Sequence, residues 1–163
     1  MNLTRPDVST LVMRDIPAEV AEIIRGIPQT NETCSEAAEA RMYPSPTSKE
    51  GEEDLCSDWK AHVQPGLYEA FQEARETVAA DLRGLNKEGK GFSMILPVRH
   101  LPAWLNALNQ ARLALAATHN FSEEELSRRP SLKMASPRQL ARLQLDVLAA
   151  IQEWFLEVLE EDS

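Results

Sequence analysis

Cys56, Asp58 and His62 come nearest to a transition-metal ligand set, offering a thiolate, a carboxylate and an imidazole close together in sequence. Their spacing argues against it. A helix turns by about 100° per residue, so the offset of six between Cys56 and His62 sends the pair to opposite sides, and they read as polar residues on a solvated face. His100 lies just before one helix and His119 near its end; His119 reads as a packed residue or a complement to the helix dipole before it reads as a ligand or a base. No serine stands in a Gly-x-Ser-x-Gly elbow, and neither Cys34 nor Cys56 has neighbours that would lower a thiol pKa. The glycines of KEGKGF lack the Lys-Ser or Lys-Thr that completes a phosphate loop, so the segment reads as a turn. Glu52 with Glu53, and Glu160 with Glu161, are solvated acids with nothing apolar to split their pKa values. No cofactor or metal is implied by any of these groups.

Arg112 is the exception. In the stretch AWLNALNQARLALA, at 103–116, positions 101, 105, 108, 112 and 115 form one helical face on which every residue but Arg112 is leucine. One reading lays the stem along the core and lets the guanidinium reach the edge. The sharper reading buries the charge, which requires a carboxylate. Asp81 holds an equivalent place on the stripe of the preceding long helix, and a forked Asp81–Arg112 pair would lock the two helices in register. Asp146, or a glutamate of the short helix near Glu36, is the competing acid, and Asn109 flanks the face closely enough to orient the guanidinium. Trp59, Trp104 and Trp154 each fall on an apolar stripe and read as a shared core, with Met13, Met94 and Met134 as core fillers.

The elements that must position these residues follow from periodicity and punctuation. STLVMRDI and FSMILPV have strand character, and the two are expected to pair in a short ladder. Helical spacing is expected at 17–27, 35–42, 51–63, 66–85, 101–118, 122–130 and 136–160. Ser35, Ser122 with Glu125, and Ser136 before Pro137 supply start signals, and Pro65 marks a joint. Residues 43–53, YPSPTSKEGEE, have loop composition throughout and read as a mobile surface loop. The expected fold class is mainly α: one domain over 1–163, a bundle of about six helices with at most a minor two-stranded β element.

The 163 residues suffice for one core without disulfides or metal. Seventeen Lys and Arg against 26 Asp and Glu leave a net charge of −9, which disfavours an electrostatic hold on nucleic acid or anionic lipid. Arg128, Arg129, Lys133, Arg138 and Arg142 form the one basic cluster, the sole basis for a DNA-binding alternative. The opening MNLTRPDVST lacks the apolar run of a secretory leader, no stretch is apolar enough to span a membrane, and two cysteines make no disulfide framework. Cytoplasm is the expected compartment.

The run AWLNALNQARLAL, after an apolar strand and before a capped loop, resembles the WL-x-ALN-x-x-RL-x-L stretch of a bacterial family, domain of unknown function family 2017. RMYPSP is similar to that family's Arg-apolar-aromatic-Pro segment, and the acidic loop and its helix follow in the same order. Gln110 departs from the pattern, standing where an acid is common. The resemblance implies a small helical cytoplasmic protein without an established activity. Family members are often encoded beside the substrate adaptor of the Clp protease, which implies a role near regulated proteolysis; the label of transcriptional regulator that some carry sits poorly with the acidity here.

The function expected from these readings is non-enzymatic: a helical binding or regulatory protein acting on a protein partner, with the 43–53 loop as the candidate contact. The alternative is a small-molecule-binding protein or enzyme with a pocket built from Arg112, Asn109, His119 and a distant acid. An open polar cavity at Arg112 favours the alternative, and a closed core favours the binder.

Overall fold

A computed structural model describes residues 1–31, 36–127 and 136–161. Cys34, Ser35, Arg128, Arg129, Lys133 and Met134 lie outside the described residues.

The chain opens on an antiparallel pair, β1 (Asn2–Asp7) and β2 (Thr10–Ile16). Its reversal is closed by Asp7, whose Oδ1 accepts from Ser9 N at 2.8 Å and Ser9 Oγ at 2.7 Å. These bonds hold the Asp7 carboxyl below its ordinary range. Helices α1 (Ala18–Arg25), α2 (Glu36–Met42), α3 (Glu53–His62) and α4 (Gln64–Asp81) follow. Then β3 (Asn86–Glu88) and β4 (Gly91–Pro97) form a hairpin whose first turn residue, Gly89, has φ +61°, a conformation natural to glycine. Helices α5 (Leu101–Thr118), α6 (Glu123–Ser127) and α7 (Pro137–Glu160) complete the order.

The sheet corrects the expected fold class. Four strands pair in the order β1-β2-β4-β3, all antiparallel, so the molecule is a sheet with helices on it and not a bundle with a two-stranded addition. The β2–β4 ladder is the pair that alternation indicates, with Leu11 opposite Leu96 and Met13 opposite Met94, all four side chains buried. The outer strands carry no such signal. β1 contains Pro6, a residue sheets accept only at an edge, and β3 has three exposed polar or charged residues. Register slips between Met13 and Ile16, where Asp15 has φ 51°. Gly91 fits there because a Cβ would stand 2.9 Å from Ile16 O.

The main core lies between the sheet and helices α1, α5 and α7, joining Leu11, Met94 and Leu96 to Trp104, Leu108, Ile151 and Phe155. Trp104 and Phe155 meet edge to face at 5.9 Å. Of the three tryptophans only Trp104 is buried; Trp59 and Trp154 are half-buried and belong to no core cluster, so the shared-core reading holds for one of them. Helix α5 packs against α2, α4 and α7 at once. Ala107, Ala111, Ala114 and Ala117 let those neighbours approach, and the helix is therefore buried on several sides instead of along one leucine stripe.

Candidate functional site

Asp81 and Arg112, the pair that sequence spacing offers, take different partners. Asp81 ends α4 beside the start of α5, where its Oδ2 accepts from Trp104 Nε1 at 2.9 Å and both oxygens lie 3.0 Å from His100 Nδ1. The carboxylate satisfies the buried indole and orients the imidazole, a tie between helices in which Arg112 has no part. The expected Asp81–Arg112 lock is thus replaced by a lock of Asp81 with Trp104 and His100.

Arg112 lies three turns further along α5, half-buried, and its Nη1 donates to Gln152 Oε1 of α7 at 2.7 Å. Its Nε is buried without a hydrogen-bond partner, the one such side-chain atom among the described residues. An unmet buried donor costs about 1–3 kcal/mol and calls for an explanation.

Beside it lies a cavity of about 450 Å³, a volume typical of small-molecule sites. Four elements build it. Helix α5 supplies Asn109, Arg112, Leu113 and Ala116; α7 supplies Arg142, Leu145, Asp146 and Ala149; α2 supplies Arg41; and the chain through α6 supplies Phe121, Glu123 and Leu126. Arg142 is structural: it donates to Glu125 O and Leu126 O at 2.9 Å each and pairs with Asp146 at 3.1 Å, which fastens α6 to α7. The turn before α6 is fixed by the expected capping box, Glu125 N to Ser122 Oγ at 3.2 Å and Ser122 N to Glu125 Oε2 at 2.9 Å. The Ser122 amide, then Arg138, hold the Glu125 carboxyl below the usual glutamate range. Ser136 caps α7 through Gln139 N at 3.2 Å.

The cavity therefore unites Arg112, Asn109 and Asp146, and leaves out Asp81, Trp104 and His119. His119 instead ends α5, its ring 6.1 Å from Phe121 and its carbonyl oxygen bonded to Arg138. A larger hollow of about 830 Å³ is lined by Val8, Ile95, Asp81 and Arg99 among others; its Asp81 carboxylate is already engaged by Trp104 and His100. Gln152 and Arg41 are site residues that sequence reasoning misses. Gln152 carries no signal, being one of several polar residues on a long amphipathic helix, whereas the i, i+4 spacing of Arg142 and Asp146 is a legible pair. Among the described residues no three metal-ligating side chains converge, and Cys56 Sγ accepts from Ser45 Oγ at 3.1 Å.

A family model described as a domain of unknown function, DUF2017, matches residues 5–159. The chain belongs to that family. No curated protein and no solved structure matches it. No described helix is long and apolar enough to cross a membrane.

Proposed function

We propose that this member of the DUF2017 family is a non-enzymatic binding protein with regulatory character, and that its recognition site is the cavity beside Arg112. The observation that carries the reading is Arg112 itself, a lining residue of a cavity of small-molecule size whose guanidinium has no carboxylate partner among the described residues and whose buried Nε is unmet. The lining supports binding over catalysis, since its acids are Glu123 on the exposed surface and an Asp146 already held by Arg142, and no described serine, cysteine or histidine joins them. The test is an NMR screen of the full chain against a metabolite extract. Shifts should centre on Asn109, Arg112 and Ala149, disappear in Ala149→Phe, and leave the extract chemically unchanged. Conversion of an extract component would replace the binder by an enzyme.

A second reading, contact with a protein partner, is supported by helix α3, which does not line the cavity. Helix α3 buries none of its residues and, with the segment after it, exposes Leu55, Val63 and Tyr68. The 44–52 segment before it lies outside the helices and strands and is tied down by Cys56, which bonds Ser45 and Thr47. Deletion of 45–51 should keep the fold and abolish co-purification of the partner; retention of the partner would move the contact elsewhere.

A further inference from the structure

The guanidinium edge that Arg112 leaves unused is the part of the cavity with the most chemical information. Nη1 is committed to Gln152, so the remaining donors are Nε and Nη2, which share one edge within the guanidinium plane. That edge is a fork of two parallel N–H groups, the geometry that a planar carboxylate fills with both oxygens. Nε is buried in the unliganded chain, so engaging the fork requires the Arg112 side chain to turn toward the cavity that the residue lines.

Charge and lining restrict the guest further. Arg142 is engaged by Asp146 and two carbonyls, and the exposed Arg41 and Glu123 offset one another, which leaves about one uncompensated positive charge, that of Arg112. A dianion would meet Asp146 and Glu123 with a single guanidinium edge to hold it, whereas a monoanion is matched. Leu113, Ala116, Phe121 and Leu145 are among the apolar residues of the wall, and they favour an apolar body over a sugar or a nucleotide. We infer that the ligand is a monocarboxylic acid with an aliphatic or aromatic body, its carboxylate forked on Nε and Nη2 of Arg112 and its body against the Leu113–Phe121–Leu145 wall. This rests on the reading of the cavity as a small-molecule site and narrows it to one chemical class.

The experiment titrates the isotope-labelled full chain with four probes: octanoate, 3-phenylpropionate, octanamide and octyl phosphate. At least one acid should shift the Asn109, Arg112 and Ala149 amides and bind at least about 10-fold more tightly than octanamide, the worth of a charge-assisted fork. Arg112→Met should erase the preference for acid over amide. Octanamide or octyl phosphate binding as tightly as the acids at the same amides would overturn the carboxylate assignment and leave the cavity reading standing. Failure of every probe to move those amides would overturn the carboxylate assignment, and an extract screen equally silent there would take the cavity reading with it. Because the four probes are compared on the unaltered chain, the ranking of acid over amide and phosphate stands whether or not Arg112→Met folds.

Discussion

The indole of Trp104 donates its Nε1 proton to Asp81 Oδ2 at 2.9 Å, joining the middle of the core to the end of α4. Trp104 is fully buried, so without Asp81 its N–H would have no acceptor. Asp81→Leu is therefore expected to cost about 1–3 kcal/mol through the stranded indole. Trp104→Phe removes the donor, and in urea unfolding the double variant should show a coupling of about 0.5–3 kcal/mol, as for groups in direct contact. Asp81→Leu with Arg112→Met should add to within about 0.5 kcal/mol, because the two residues share no partner. Coupling of Asp81 with Arg112 in place of Trp104 would restore the pair that sequence spacing offers.

Arg112 reaches the edge of α5 and bonds a neutral amide, so it carries no buried ion pair to break. Arg112→Met keeps the apolar stem and loses one hydrogen bond together with an unmet donor. Stability should change by less than about 1.5 kcal/mol, the net worth of a hydrogen bond. A loss of about 3–5 kcal/mol would mean that the substitution orphans a buried carboxylate.

Segments with strong periodicity were legible in the sequence, and so were their caps: β2, β4 and the helices stand close to where alternation, spacing and the Ser122 and Ser136 start signals put them. Strands β1 and β3 were not, because an edge strand needs neither burial nor a full set of N–H donors, and Pro6 and Lys87 are tolerated where the ladder ends. The leucine face of α5 misled for a different reason. Enclosed by α2, α4 and α7, this helix buries alanines on several sides, and the leucine positions 105 and 115 are only half-buried beside Arg112. Periodicity identifies one buried stripe; it does not tell how many neighbours a helix has. Three of the twelve lining residues, Arg112, Asn109 and Asp146, are ones that spacing singles out, but Arg41 comes from α2, whose placement on α5 no local pattern encodes.

The capping box of α6 gives a pH prediction. Glu125 has its folded-state pKa depressed below the ordinary 4.5, first by the Ser122 amide and then by Arg138. A depressed carboxyl contributes stability above its unfolded pKa and loses it as pH falls through the folded value. Protection of the Ser122 amide from hydrogen exchange should accordingly be constant near neutrality and fall on acidification through that range. In Glu125→Gln the acid-dependent step should vanish; if it persists, another carboxyl controls the cap.

Gln110 gives the last prediction. It is 1% exposed on α5 and accepts from Arg75 Nη1 of α4 at 2.6 Å, while its Nε2 donates to Asn106 Oδ1 at 2.8 Å and Phe71 O at 3.3 Å. Its main service is as an acceptor for a guanidinium, a role that a carboxylate also fills. Gln110→Met keeps the volume and removes the acceptor, leaving Arg75 to face an apolar group at a closed helix interface, at a cost of about 1–3 kcal/mol. Gln110→Glu loses the two donated bonds but turns the bond with Arg75 into a charge-assisted one, and Asn106 can rotate its amide to donate. The glutamate variant should therefore be the more stable of the two by urea unfolding, with the gap narrowing in high salt. A methionine variant as stable as the glutamate would show that packing alone, and not the Arg75 contact, sets the α4–α5 interface.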